Sequence, residues 1–199
     1  MNPQRVGLFG GTFDPIHRGH LSVAEYAFKR LQLDHLIFIP SGTPPHKDDN
    51  GRTNSTHRYH MVCRAVAGDT RFSVSAIELE RVGKSFTVDT VREIKAAAEQ
   101  GTLFYFILGD DCAAKLHCWK GLAELMAMVE FVSVSRRGVS ADASIARRVV
   151  QLDMPLMDIS SSQLRARMAQ GHSLGDHLPQ AVCQYITEHQ LYSVARETA

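Results

Sequence analysis

Two rhythms of apolar residues alternate along this chain. Short continuous apolar runs occur at Val6–Phe9, His35–Pro40, Phe72–Ile77, Leu103–Leu108 and Glu130–Ser135. An unbroken apolar run, closed by glycine, proline or polar residues, predicts a strand buried on both faces, as in a parallel sheet. Helical spacing fills the gaps. It starts near Gly19 with Leu21, Ala24, Phe28 and Leu31 on one face, and Arg58, Met61 and Ala65 recur in a helix that Ser55 caps and that runs to Ala67. A third helix begins at Ser85 or Thr87 and is ended by Gly101. Residues 143–152 suit a short helix and a strand. Ser160 can cap a helix with Leu164 and Met168 inward and Gly171 at its end, and Leu178–Leu191 closes the chain as a helix. Strand and helix in alternation predict an α/β fold around a parallel sheet. No repeat, low-complexity run or linker divides it, so one domain over 1–199 is expected, with a small helical part from about 158 onward.

Composition narrows the class of partner. The chain has 199 residues, 44% hydrophobic and 22% charged, which suits an ordinary core-forming domain. A net charge of +1 and a pI near 7.8 argue against nucleic acid or an anionic membrane as partner. The N-terminus lacks a signal pattern and no apolar run is long enough to span a bilayer, so a cytoplasmic protein is expected. Cys63, Cys112, Cys118 and Cys183 form no C-x-x-C, which favours thiols over a disulfide framework. His57, His60 and Cys63 would share a helix face, but a fourth ligand is not evident and no protein metal site is expected. The oligomeric state is left open, a homo-oligomer included.

The candidate chemistry is concentrated in Arg5–Ala27, RVGLFGGTFDPIHRGHLSVAEYA. An apolar strand runs into Gly10 and Gly11, then a polar loop of Thr12, Phe13, Asp14 and Pro15, then a helix beginning beside His17, Gly19 and His20. A strand–turn–helix unit of this kind points backbone N–H groups and a helix N-terminus at one spot, which suits phosphate. The two histidines add donors there. Other phosphate motifs are excluded: Gly83-Lys84-Ser85 has Glu78 where a P-loop needs glycine, and no G-x-G-x-x-G occurs. Further candidates follow strand ends. They are His46 and Lys47 in PPHK, Asp111 and the lone Trp119 beyond LFYFILGDD, Arg136 and Arg137 after the fifth run, and Ser160, Ser161 and Arg165 in ISSSQLR. Thr87 sits where a helix N-terminus could receive a small anion such as a ring carboxylate.

GGTFDPIHRGHL, PPHK, ELERVGKSFTVDT, FILGDD with Trp119 beyond it, SRRG, ISSSQLR and the closing LP–V–YI–LY pattern occur in one order over nearly the whole chain. That series resembles the bacterial nicotinate-nucleotide adenylyltransferase family of the nucleotidyltransferase superfamily. The resemblance implies a Rossmann-like, doubly wound parallel sheet. It also implies adenylyl transfer from ATP to nicotinate mononucleotide, giving deamido-NAD and pyrophosphate, with Mg²⁺ carried on the ATP phosphates. By the same resemblance, Gly10, Gly11, Thr12 and Phe13 line the nucleotide sites, and His17, His20, Ser160, Ser161 and Arg165 meet ATP, with His17, His20 and Arg165 as catalytic groups. Thr87, Asp111 and Trp119 surround the nicotinate nucleotide, with Lys47 and Arg136 near its phosphate. Two positions depart from the family pattern: Ser162 replaces threonine, keeping the hydroxyl, and Phe86 replaces tyrosine, losing a phenol. Related acceptors, nicotinamide mononucleotide and phosphopantetheine, are the alternatives.

Overall fold

The structure, a computed structural model, describes residues 3–42, 52–113, 115–135, 149–155, 158–172 and 174–192. Its sheet has six strands, all parallel, in the order β3-β2-β1-β4-β5-β6. They are β1 (Arg5–Gly11), β2 (His35–Pro40), β3 (Phe72–Val74), β4 (Leu103–Gly109), β5 (Glu130–Ser135) and β6 (Val149–Asp153). The helices are α1 (Arg18–Arg30), α2 (Ser55–Val66), α3 (Ile77–Glu80), α4 (Thr87–Ala96), α5 (Asp110–Ala113), α6 (Leu122–Met128), α7 (Ser161–Ala169) and α8 (Gln180–Glu188).

Each strand is apolar on both sides because each face of the sheet carries helices. From β4, Phe104, Phe106 and Leu108 join Val6 and Leu8 against Val88, Val91 and Leu125 of α4 and α6. Tyr105 and Ile107 point the other way, with Phe9 and Phe38, towards Ala24 and Ala27 of α1, Met61 of α2, Leu164 of α7 and Val182 of α8. The doubly wound parallel architecture is thus the one expected, and it is a Rossmann-like α/β fold.

The order has one consequence for function. The chain leaves β1 towards β2 and β3, then returns to β4 on the other side of β1. Connections from β1 and β4 therefore diverge, opening a crevice at their carboxyl ends, where α/β sheets bind ligands. Gly11 and Gly109 end the two strands at that point.

Local chemistry moved several boundaries. Asn54, not Ser55, caps α2, its side chain accepting from Thr56 N at 2.8 Å. β3 stops at Val74, and Ile77–Glu80, expected as strand end and charged connection, is a helical turn. α4 ends at Ala96 rather than Gly101, and neither Ser85 nor Thr87 caps it: its N-cap is Phe86, without a side-chain bond. Ser85 Oγ instead donates to Glu78 O at 3.2 Å. α8 is shorter than its apolar pattern because Pro179 is its N-cap and Gln190, at φ 50°, turns the chain out of the helix. The expected helix in 143–148 lies outside the described residues.

Candidate active site

The crevice is floored by the turn after β1. Gly11 has a steric reason: a Cβ there would lie 2.7 Å from the Phe13 ring, which folds back beneath the turn and is buried. Phe13 has φ 49° and meets Phe9 edge-on at 5.5 Å. Asp14–Pro15 is a cis peptide. The loop then delivers His17 to the N-cap of α1 in extended conformation.

His17 and His20 act as one unit. Their rings stack with centroids 3.8 Å apart, and the backbone N–H of His17 donates to His20 Nδ1 at 3.2 Å. That bond fixes the His20 tautomer: Nδ1 accepts, so the proton sits on Nε2, which is left as a donor. Phe13 lies edge-on to His20 at 5.1 Å. Gly19 is required by His17, since a Cβ would stand 2.9 Å from His17 Nδ1. The spacing H-x-G-H thus has a local physical cause: one histidine caps the helix, glycine makes room for it, and the second returns to the first. His17 Nδ1 is buried with no hydrogen-bond partner among the described residues.

Burial keeps both rings neutral. Desolvation, with the neighbouring His177, lowers His17 to about 4. Desolvation and then His17 push His20 well below its ordinary value. A histidine depressed in the folded state gives stability that is full above the unfolded value near 6.5 and is lost as pH falls towards the folded value. For His17 the loss at pH 5 is about 2 kcal/mol. Urea unfolding at pH 7.5 and 5 should show this decline, and His17→Gln should lessen it by that amount. Equal declines in both proteins would contradict it.

α7 closes the crevice from the C-terminal side. Ser160 caps it in a reciprocal box: its hydroxyl accepts from Gln163 N at 3.2 Å and Gln163 Oε1 accepts from Ser160 N at 2.8 Å. Ser161 Oγ donates to Pro15 O at 3.0 Å, and Arg165 Nη1 donates to Asp14 O at 2.7 Å. The helix start is thereby fastened to the phosphate-type loop 151 and 146 residues away in sequence. The N–H groups of Ser161 and Ser162 have no intrahelical acceptor and carry the positive end of the helix dipole.

The opposite wall is α4 with the segment beyond β4. Thr87 is the first residue of α4, whose N-terminus has no side-chain cap. Trp119 is half-buried and meets Phe106 and Phe131 edge-on at 5.7 and 6.2 Å. Asp111 lies in α5, directly after β4, but its side chain is outside the described residues, as are His46, Lys47, Arg136 and Arg137.

Sequence patterns did not reveal the groups that hold these walls together. Arg58 lies on a helix face like any surface arginine, yet it is 3% exposed. Its guanidinium donates to Thr12 O at 2.7 Å, Ser41 O at 2.7 Å and Thr53 O at 3.0 Å, joining the ends of β1 and β2 to the start of α2. Glu78 turns inward from α3. Its carboxylate accepts from Gly42 N at 3.2 Å and Thr90 Oγ1 at 3.0 Å, and burial raises its pKa. The only sequence hint for Arg58 was its place among the inward positions Met61 and Ala65. His57 and His60, considered above for metal, both place Nδ1 on the Tyr185 hydroxyl, at 2.9 and 3.1 Å. Among the described residues no group of three or more His, Cys, Asp or Glu is arranged to hold a metal ion, and no helix is long and apolar enough to cross a membrane.

A parallel six-stranded sheet with this turn, stacked histidine pair and docked helix N-terminus is the nucleotidyltransferase type of α/β protein. The family described as Cytidylyltransferase-like matches residues 8–167. A protein of Tropheryma whipplei, described as "Probable nicotinate-nucleotide adenylyltransferase", is 44% identical over 92% of this chain and 97% of its own length. One of the same description from Clostridium tetani is 37% identical over 95% of this chain and 99% of its own. The chain belongs to the Cytidylyltransferase-like family and, within it, to the nicotinate-nucleotide adenylyltransferases. Among solved structures, Plasmodium falciparum nicotinic acid mononucleotide adenylyltransferase complexed with NaAD has the same fold, with TM-score 0.77 at 20% identity over 95% of this chain and 97% of that one.

Proposed function

We propose that this chain transfers the adenylyl group of ATP to nicotinate mononucleotide, giving deamido-NAD and pyrophosphate, in the biosynthesis of NAD. The observation that carries the reading is 44% identity over 92% of the chain to a relative described by that reaction. The Plasmodium enzyme, crystallised with NaAD and separately with APC, is consistent with it.

The chemistry asks for alignment more than for a base. A nucleotide monophosphate has a second pKa near ~6, so it is mostly a dianion at neutral pH and is itself the nucleophile. One of its oxygens bonds to the α-phosphorus of ATP, the bond from that phosphorus to the bridging oxygen breaks, and the electron pair leaves on pyrophosphate. Catalysis then rests on in-line positioning and on donors aimed at the phosphates. In this reading Gly10, Gly11, Thr12 and Phe13 form the floor of the nucleotide site. Neutral His20 offers Nε2–H, His17 lies beside it, and Arg165 with the N-terminal turn of α7 at Ser160 and Ser161 receives the leaving charge. Mg²⁺ enters as part of the substrate, bound to the ATP phosphates. Thr87 at the open N-terminus of α4 takes the ring carboxylate, Trp119 takes the ring face, and Asp111, Lys47 and Arg136 complete the acceptor site. We infer that the reaction takes place in the cytoplasm.

The test is pyrophosphate release from Mg-ATP with nicotinate mononucleotide, nicotinamide mononucleotide or phosphopantetheine in parallel. Marked preference for the nicotinate is expected. Preference for the amide would retain the mechanism and overturn the acceptor; no release with any acceptor would sink the enzyme reading. Trp119→Ala should raise KM for the acceptor by about 10-fold, from lost stacking of roughly 1–1.5 kcal/mol, while KM for ATP stays within about twofold. An unchanged acceptor KM would remove Trp119 from the site.

A further inference from the structure

The segment that follows α8 reaches the loop at the floor of the site. Tyr192, four residues beyond α8, donates its hydroxyl to Asp14 Oδ1 at 2.6 Å. Gln190 and Tyr192 both hold left-handed backbone, at φ 50° and 63°, and Leu191 N closes the reversal on Ile186 O at 3.0 Å. Gln190 ends α8 as Gln32 ends α1, with a left-handed residue and a 6→1 bond; the second left-handed residue, Tyr192, is rare for a non-glycine and turns its ring back towards the loop.

What it delivers is a donor to a buried carboxylate. Asp14 is 2% exposed. Its Oδ2 accepts from Thr53 N at 3.4 Å and stands 3.8 Å from Arg165 Nη1. The shorter Arg165 contact is to the Asp14 carbonyl, at 2.7 Å. Tyr192 thus holds Oδ1 while Thr53 N holds Oδ2, and Arg165 is bonded to the carbonyl of the same residue. Burial and the Asp14 carboxylate raise the Tyr192 pKa, so its hydroxyl stays a donor across the working range.

We propose that Tyr192 is a positioning residue for adenylyl transfer: it acts through Asp14 to set Arg165 and the loop before His17 in the geometry that receives the ATP phosphates. The proposal rests on the adenylyl-transfer reading for its rate predictions, while its structural claim can be tested apart from it.

Four full-length proteins decide the matter: wild type, Tyr192→Phe, Asp14→Asn and the double variant. With nicotinate mononucleotide saturating, Tyr192→Phe should lower kcat/KM for ATP by about 10-fold or more, the usual loss for a hydrogen bond to a charged group. KM for the acceptor should stay within about twofold, and the double variant should be no worse than Asp14→Asn. In parallel, hydrogen exchange should speed up at the Ile16–His20 amides and stay unchanged in β4. Tyr192→Phe within about twofold of wild type, or losses that multiply fully in the double variant, would overturn the proposal. Unchanged exchange at Ile16–His20 would do so as well. Wild type that released no pyrophosphate would refute the enzyme reading alone, and the exchange comparison would still decide Tyr192.

Discussion

Replacing His20 with alanine should lower kcat by about 10²- to 10³-fold, the usual loss of one preorganised donor at a developing charge. The tautomer makes this a sharp expectation. His20 Nδ1 is spent on the His17 amide at 3.2 Å, so Nε2 keeps the proton and is a neutral donor. Its neutrality is held by burial and by the stacked His17 ring, 3.8 Å away between centroids. His20→Gln keeps a donor and should recover part of the rate; ATP binding should weaken far less than turnover. A His20→Ala enzyme with near wild-type kcat would show that phosphate charge is met elsewhere. Steady-state kinetics with ATP and nicotinate mononucleotide, each varied in turn, read this directly.

Arg58→Ala should be the most damaging substitution for stability among the residues discussed. It removes a guanidinium that meets three carbonyls, Thr12 O, Ser41 O and Thr53 O, within 3.0 Å. Leaving such acceptors buried and unpaired costs about 3–5 kcal/mol. For a chain of this size that lowers Tm by roughly 10 °C or more. Arg58→Lys keeps the charge but not the planar fork, so it should recover only part. Scanning calorimetry gives the answer, and an Arg58→Ala midpoint within about 2 °C of wild type would dismiss the three-way clamp. Activity should fall too, because Thr12 and Ser41 directly follow β1 and β2 at the crevice.

The legible and the hidden parts of this molecule differ in range. Strands announced themselves because both sheet faces are covered, which makes HLIFIP and LFYFIL continuous apolar runs; β2 and β5 have the predicted limits. The α7 start was legible because Ser160 and Gln163 are three residues apart and bond to each other. The H-x-G-H turn was legible for the same reason: His17, Gly19 and His20 constrain one another within one helical turn. At the start of α4 the expected cap failed because another group had taken the hydroxyl. Ser85 was free to cap α4 on local grounds, but the Glu78 carbonyl from the preceding turn holds its hydroxyl.

What the sequence settled without coordinates is whatever depends on neighbours within a few positions: the alternation of strand and helix, the glycine turn and the histidine pair. Only the tertiary structure decided which side chains carry the walls of the site. Arg58, Glu78 and Tyr192 stand in recurring positions or quoted motifs, but the sequence does not say what they bind. Folding buried Arg58, partly covered Glu78 and Tyr192, and gave them carbonyls, an amide and a carboxylate as partners. The physical reason is that burying a polar group costs free energy unless a partner is supplied. Thr12 lies 46 positions from Arg58, Gly42 lies 36 from Glu78 and Asp14 lies 178 from Tyr192, and no local pattern records such pairings.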